Sequence, residues 1–149
     1  MEKKYYVKVN ELGAFWYADE AMTVLHREDG PALEYANGDK VWYQNGQRHR
    51  LDGPAVERVN AYKSWWQNGK RHRLDGPAIE RTNGHKEWWQ NDECHRLDGP
   101  AVEYGDGTKE YWINGSKLTK QEFLARTQAP TCEGRIVTID GVDYKLTKI

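Results

Sequence analysis

The chain has 149 residues, enough for one domain, and its 22 lysine and arginine residues are balanced by 23 aspartate and glutamate residues. This balance excludes a strong overall field that would attract nucleic acid or an anionic membrane. Aliphatic residues are sparse beside 7 Trp and 9 Tyr, so we expect a core of aromatic side chains buried between repeated units.

No apolar run approaches the roughly 18 residues that a membrane helix needs, so no membrane partner is predicted. The segment from Met1 to Tyr6 lacks the apolar stretch of a secretory signal, and a cytoplasmic location is the expectation. Cys94 and Cys132 could pair, but one pair does not make a disulfide framework.

The first thirty residues predict a degenerate repeat unit. Residues 5–9 alternate with aromatic and β-branched side chains, 10–13 read as a turn, and 14–17 read as a second strand. An irregular connection follows at 18–25, and it is three residues longer than its counterparts in the later units. A cap or a specific contact is expected there.

The motif Asp-Gly-Pro-Ala then occurs four times with a constant step of 23 residues, starting at Asp29, Asp52, Asp75 and Asp98. A fixed period of 20–50 residues is typical of stacked-repeat proteins. The predicted stack spans 1–117, divided into a degenerate unit 1–30, full units 31–53, 54–76 and 77–99, and a partial unit 100–117.

Each full unit predicts short antiparallel strands joined by tight turns. The unit opens on Pro-Ala-(Leu/Val/Ile)-Glu, where proline suits the first position of a strand, and then turns at an Asn-rich segment. A second strand carries two adjacent aromatic residues in most units and ends at a second turn, usually Asn-Gly, which favours the positive φ of hairpins. We therefore predict an all-β fold, an elongated single-domain meander of stacked antiparallel β-hairpins.

The C-terminal segment 118–149 departs from the repeat. Thr119 and Glu122 have the spacing of a capping box, which predicts a helix over 120–126. Asp140-Gly141 lies between two β-prone runs and predicts a terminal hairpin. Both elements are expected to cover the open end of the stack, since an uncovered edge strand promotes aggregation.

These units resemble MORN-type repeats, specifically the divergent MORN-variant group, over roughly residues 14–115. The resemblance rests on the 23-residue period and on an aromatic pair followed by Asn-Gly, as in Trp65-Trp66-Gln67-Asn68-Gly69. Common MORN units are rich in Tyr and Gly, whereas His-Arg-x-Asp-Gly-Pro-Ala looks like small proteins of bacteria and tailed phages. The resemblance implies a β-sheet stack that serves as a binding scaffold, and it carries over no catalytic residue.

The His-Arg-x-Asp column could be read as a catalytic group, because a histidine beside a carboxylate can act as a general base. The same set recurs in every unit, as in His72, Arg73 and Asp75, whereas an active site is normally single. We therefore predict that each Asp accepts hydrogen bonds from turn amides or from Arg, and that the protein is not an enzyme. The Glu and Lys columns that flank the first turn, such as Glu57 and Lys63, predict a surface ladder of opposite charges.

The paired aromatic residues are the candidate binding residues. Adjacent strand residues point to opposite faces, so Trp42, Trp65 and Trp88 belong to one row, and Tyr43, Trp66, Trp89 and Trp112 belong to the other. One row is expected to form the core between units, and a less buried row would be a binding strip, together with Arg48 and Arg71. The sequence leaves open which row is exposed.

The third unit differs most from its neighbours. It has Asp92 in place of Gly, Cys94 in place of Arg, and an additional His85. These include metal-ligand types but lack a second paired motif, so neither a metal nor another cofactor is predicted. Asp92 and Cys94 are added to the candidate partner-binding residues.

The sequence therefore predicts a non-catalytic protein that binds another macromolecule, most plausibly a protein, through rows of aromatic and arginine side chains. Resemblance alone extends this to a phage-type inhibitor of a host defence protein. The alternative is a protein that sequesters a nucleotide or another small phosphorylated ligand, with arginines on the phosphates and Trp on the base. Nucleic acid is not the expected partner, because the basic residues do not form a continuous stripe in the sequence. The sequence does not decide whether the protein forms a homo-oligomer.

Overall fold

The computed structural model describes residues 5–128 and 136–145. They form one antiparallel sheet of eleven strands, a second layer of two-stranded hairpins, one helix and a terminal hairpin. The all-β meander predicted from the 23-residue period is confirmed, with successive strands of the large sheet adjacent in space.

The strands, in chain order, are β1 (Tyr6–Asn10), β2 (Gly13–Tyr17), β3 (Leu33–Tyr35), β4 (Lys40–Val41), β5 (Tyr43–Gln44), β6 (Gln47–Arg48), β7 (Val56–Arg58), β8 (Tyr62–Ser64), β9 (Trp66–Gln67), β10 (Lys70–Arg71), β11 (Ile79–Arg81), β12 (Lys86–Glu87), β13 (Trp89–Gln90), β14 (Glu93–Cys94), β15 (Val102–Glu103), β16 (Lys109–Ile113), β17 (Ser116–Leu118), β18 (Ile136–Ile139) and β19 (Val142–Lys145). The helix α1 is Lys120–Thr127. The large sheet has the order β1-β2-β3-β4-β7-β8-β11-β12-β15-β16-β17.

The register of the large sheet separates its two faces. On the face called inner here, the directly opposed residues are Phe15, Leu33, Val41, Val56, Ser64, Ile79, Glu87, Val102 and Glu110. On the outer face, Glu57 lies opposite both Lys40 and Lys63, and this alternation of Glu and Lys continues along the sheet. The predicted ladder of opposite charges is therefore present.

The short hairpins β5–β6, β9–β10 and β13–β14 form the second layer, and backbone hydrogen bonds join each hairpin to the next. Between the first two, the Gly69 N–H donates to the Arg48 carbonyl over 3.0 Å, and the Arg50 N–H donates to the Trp66 carbonyl over 3.1 Å. Asn68 has φ 49° and Gly69 has φ 76°, which explains the Asn-Gly pair at this turn. The units are thus tied together in both layers.

Aromatic side chains fill the space between the two layers. Leu33, Val41 and Val56 of the inner face pack against Tyr43 and Trp66. Further along the stack, Cys94, Ala101 and Val102 pack against Trp88, Trp89 and Trp112. The expectation of an aromatic core is therefore met only in part: the fully buried side chains of the repeats are small or aliphatic, and half-buried aromatic side chains pack against them.

The loop at residues 18–25, which contains the insertion, is stabilised by hydrogen bonds to Asp19. Asp19 accepts hydrogen bonds from the backbone N–H groups of Thr23 and Val24 and from the Thr23 hydroxyl. Tyr17 forms an isolated bridge with Leu25 at the end of the loop. The loop therefore has a defined internal structure at the N-terminal end of the stack.

The C-terminal helix has the predicted cap. Thr119 accepts a hydrogen bond from the Glu122 N–H, and the Glu122 side chain accepts one from the Thr119 N–H. Phe123 is 3% exposed, and its ring centroid lies 4.9 Å from that of Tyr111, so the helix covers the last unit as expected. Within the described residues, no helix has the length and apolar character required to cross a membrane.

The terminal hairpin forms at Asp140-Gly141, as predicted. Its apolar side chains at Ile136, Ile139, Val142 and Tyr144 are each more than half exposed, at 66%, 57%, 53% and 52%. The covering role expected of this hairpin therefore stays a prediction, whereas among the described residues the helix packs on the last unit through Phe123. Cys132, the second cysteine, lies outside the described residues.

We predict that Phe123→Ala lowers the free energy of unfolding by about 3 kcal/mol, because the side chain is buried against the last unit and its removal leaves a cavity. Urea denaturation followed by Trp fluorescence measures this change. Gln121→Ala, on an exposed position of the same helix, is the control and should change stability by less than about 0.5 kcal/mol. Equal effects would contradict the capping role of the helix.

Candidate functional site

Each loop that joins two units, here called a corner, contains an arginine that donates hydrogen bonds to several groups of the loop and of the next strand. At the second corner, Arg50 Nε donates to Asp52 Oδ1 over 2.9 Å, while Nη1 donates to the Pro54 carbonyl over 3.2 Å and to Glu57 Oε1 over 3.0 Å. Arg27, Arg73 and Arg96 make the same three contacts in the other corners. The predicted role of the Asp, accepting from the neighbouring Arg, is confirmed.

The same guanidinium lies on a tryptophan ring. Arg50 Cζ is 4.0 Å from the centre of the Trp42 ring, within the range of a cation–π contact. A Cβ added to Gly53 would lie 2.9 Å from Arg50 Cζ, so a side chain at that position would push the guanidinium aside. The Gly of Asp-Gly-Pro-Ala therefore leaves room for the arginine. The corresponding ring-to-Cζ distances at Trp16, Trp65 and Trp88 are 4.1, 4.0 and 4.0 Å.

The histidine of each corner clasps the next unit. His26 Nδ1 accepts the backbone N–H of Asn45 over 3.0 Å, and His95 Nδ1 accepts that of Asn114 over 3.1 Å. In these two rings, an Nδ1 that accepts a hydrogen bond carries no proton, which places the ring proton on Nε2. His49 Nδ1 lies 3.1 Å from the backbone N of Asn68 and 2.9 Å from Asn68 Oδ1. Asp52 is held by Arg50 instead of by His49, so the catalytic pairing of His with Asp is not formed at this corner.

A second pair of arginines links the hairpins of successive units. Arg48 Cζ lies 4.9 Å from the Trp66 ring centre, and Arg71 Cζ lies 3.7 Å from that of Trp89. Arg71 Nε also donates to Asp92 Oδ1 over 2.7 Å, and this carboxylate occupies a position where the other units have Gly. The desolvated carboxyl of Asp92 still has a lowered pKa, because Arg71 and its backbone N–H donate hydrogen bonds to it.

The predicted binding residues are thus largely engaged within the chain. Trp42, Tyr43, Trp65, Trp66, Trp88, Trp89 and Trp112 are all half-buried, and neither row is an open strip. Arg48 and Arg71 stack on the aromatic residues of the next unit, Asp92 pairs with Arg71, and Cys94 is buried. Arg48 Nε is buried and has no hydrogen-bond partner among the described residues.

The most exposed repeated apolar feature is a leucine in each of three corners, which sequence reasoning did not single out. Leu51 and Leu74 are each 75% exposed, and Leu97 is 57% exposed. The signal in the sequence was an apolar residue repeated at a turn, between Arg and Asp, where polar residues are usual. We call these three leucines the leucine row.

A groove opens between each pair of successive corners. The middle groove has a volume of about 540 Å³ and is lined by Trp65, Gln67 and His72, with Leu51 and Leu74 on its two sides. The grooves before and after it measure about 610 and 450 Å³. The later groove has the same kind of lining, whereas the earlier one has Glu28 on one side in place of a leucine. The side chains of Gln44, Gln67 and Gln90 line the three grooves without a hydrogen-bond partner in the described part of the chain.

Comparison with known proteins identifies no relative: no family model, no curated protein and no solved structure matches this chain. The resemblance of the units to MORN repeats therefore stays a prediction. Among residues 5–128 and 136–145, no three His, Cys, Asp or Glu side chains converge in a way that could hold a metal ion.

We predict that Arg73→Ala lowers the free energy of unfolding by about 2 kcal/mol, because it removes one cation–π contact and three hydrogen bonds of a corner. Chemical denaturation measures this loss. Arg73→Lys should recover only part of it, since an ammonium cannot reproduce the planar, multidentate contact. Lys70→Ala removes a charge from an exposed position of β10 in the same unit and is the control, with an expected change below about 0.5 kcal/mol.

The corners also predict an acid-dependent loss of stability. Hydrogen bonds from Arg50, Arg73 and Arg96 lower the pKa values of Asp52, Asp75 and Asp98 below the ordinary 3.8. A folded-state pKa below the unfolded value means that the ionised carboxylates stabilise the folded protein. This stabilisation is complete above pH 3.8, the ordinary value, and is lost as the pH falls through the folded-state values.

A variant with all three aspartates changed to Asn should therefore be less stable than the parent at pH 7 and should approach it in stability at strongly acidic pH. Urea midpoints measured across this range provide the comparison. Parallel pH profiles for the two proteins would contradict the prediction.

Proposed function

We propose that this protein is a non-catalytic binding protein, and that it holds an extended segment of a protein partner across the leucine row and its three grooves. The observation that carries the proposal is the repetition of one exposed apolar side chain and one groove in successive corners. Single exposed leucines are ordinary, but a regular row beside grooves is typical of an interaction surface.

The spacing of the grooves favours an extended partner. Each unit adds two strands to the large sheet, so equivalent corners repeat at about 9.6 Å when strands lie about 4.8 Å apart. A polyproline II segment rises about 3.1 Å per residue, or about 9.3 Å in three residues. Every third side chain of such a segment would meet an equivalent groove.

The chemistry of the grooves suits side chains of mixed character. Leu51 and Leu74 offer apolar contacts at the two sides of the middle groove, while the Gln67 amide offers one donor group and one acceptor. Arg and Asp are present in pairs at each corner, so the surface does not select its partner by net charge. Apolar residues at every third position, with polar residues between them, are the expected partner pattern.

The repeated use of the corner residues supports a binding role over catalysis. Each corner arginine donates to Asp, to a carbonyl and to Glu, and each corner histidine contacts the next unit through Nδ1. For the alternative ligand, a nucleotide, two or more free arginines would have to converge in a closed pocket. Arg48 and Arg71 stack on Trp66 and Trp89, and the corner arginines that line the grooves already donate to carboxylates of the chain, so the contacts of these arginines favour the protein partner over the nucleotide.

A randomised peptide display library, selected against the purified full chain, tests the proposal. We expect enriched peptides with apolar residues three positions apart, and we expect the double variant Leu51→Glu, Leu74→Glu to bind them at least about tenfold more weakly. Both leucines are highly exposed, so these changes should leave the fold intact.

Val9→Glu is the matched control, because Val9 is 73% exposed and lies in β1, away from the corners. It should bind the selected peptides like the parent protein. Peptides that bind the double variant and the parent equally well would sink the proposed surface. A thermal shift produced by a nucleotide would instead support the alternative ligand.

A further inference from the structure

The third hairpin of the second layer has a cysteine at a position where the other hairpins have a cationic side chain. Four residues occupy the equivalent strand position, each directly opposite the aromatic residue of its own hairpin: Arg48, Arg71, Cys94 and Lys117. The two arginines stack on the tryptophan of the following unit, at 4.9 Å for Trp66 and 3.7 Å for Trp89. The Cys94 side chain is too short to reach Trp112 in the same way.

A pocket of about 370 Å³ opens at this step. Cys94 and Val102 line it together with the side chains of Trp89 and Trp112, and its volume lies within the usual range of small-ligand sites. Lys117 Nζ, the cation closest to the Trp112 ring in the described contacts, is 5.8 Å from the ring centroid. The pocket therefore has the aromatic walls of the preceding steps without the stacked guanidinium.

Two carboxylates flank the pocket on the inner face of the large sheet. Glu87 and Glu110 are 16% and 20% exposed, and they replace the Val41 and Ser64 of the preceding units. The indole N–H of Trp89 donates to Glu87 Oε2 over 2.8 Å, and that of Trp112 donates to Glu110 Oε2 over 2.9 Å. Each carboxylate is thus fixed in orientation beside an aromatic ring.

The pocket has an excess of negative charge. Its lining includes the acidic residues Glu87, Asp92, Glu93 and Glu110. Lys117 pairs with Glu110, Arg71 pairs with Asp92 and His85 contacts Glu87, which leaves Glu93 without an ion-pair partner among the described residues. Burial, followed by the charges of Glu87 and Glu110, raises the pKa of the Cys94 thiol to about 12, so the thiol stays neutral.

We infer that this pocket binds a guanidinium group, placed between Trp89 and Trp112 beside Glu110 and Glu87, where the neighbouring units hold an arginine of their own. A planar guanidinium stacks on an indole and donates to carboxylates at its edge, whereas an ammonium is a compact, strongly hydrated charge. The site lies on the inner face of the sheet, whereas the corner arginines contact the outer-face glutamates, so it is independent of the proposed leucine-row function.

The ligand can be an arginine side chain of a partner protein or a free guanidino compound, which share this chemistry. Titrations with N-acetyl-arginine amide and with a short, otherwise uncharged peptide containing one arginine distinguish the two sources. Binding of the peptide at least about tenfold more tightly than the amide points to a partner protein, and equal affinity points to a small compound.

The test follows the indole N–H signals of Trp89 and Trp112 by ¹⁵N NMR during these titrations of the full chain. We expect saturable shifts with N-acetyl-arginine amide, and at least about tenfold weaker binding of N-acetyl-lysine amide. Cys94→Arg should abolish the shifts and raise the thermal unfolding midpoint, because it supplies the missing guanidinium from the chain itself. Cys94→Ala keeps the pocket open and should bind like the parent.

Glu110→Gln provides a second variant should the bulky Cys94→Arg change prevent folding. It retains an oxygen for the Trp112 indole N–H but removes the charge, and it should weaken arginine binding by about tenfold, the loss expected for one charge-assisted hydrogen bond. Unchanged binding in either folded variant, no saturable shift in the parent, or equal binding of the lysine compound would overturn the inference.

Discussion

The stack depends on one contact, the arginine guanidinium that stacks on a tryptophan ring at each corner. At Arg50 the guanidinium Cζ lies 4.0 Å from the centre of the Trp42 ring, and the same group donates to three acceptors of the corner and the next strand. It therefore joins the hairpin layer to the large sheet at every step of the repeat. Without it, the tryptophan would face solvent and the corner would lose its hydrogen-bond partners.

The two faces of the large sheet differ in chemistry. The inner face and the hairpins enclose aromatic side chains, whereas the outer face carries an alternating Glu–Lys ladder. Along the inner face the residue before the aromatic pair changes from Val41 to Ser64 to Glu87, so the interior becomes more polar towards the C-terminal units. The described residues therefore form similar grooves between successive corners and a pocket at the step of Cys94, where the repeat departs from its pattern.

Local chemistry made most of the fold predictable. The Asn-Gly turns, the Glu–Lys pairs and the Thr119–Glu122 cap depend on residues that are neighbours in sequence or across one hairpin. The exposure of the aromatic rows was not predictable. Arg48 covers a tryptophan of the next unit, and this contact depends on how the successive hairpins of the second layer are placed. The signal for the pocket at Cys94 appears when equivalent positions of the units are aligned. The unit that has Cys94 in place of Arg also has Glu87, and the next unit has Glu110, where the earlier units have Val or Ser.

The clasp between His49 and Asn68 joins residues only 19 positions apart, and the other links between units have similar spans. The loop that must close to form each link is therefore short, and its entropic cost is the same at every step. Such a chain can fold progressively as it leaves the ribosome, each new unit assembling on the one already formed. The helix with Phe123 follows the repeats in the chain, so it packs on the last unit only after those repeats have been synthesised.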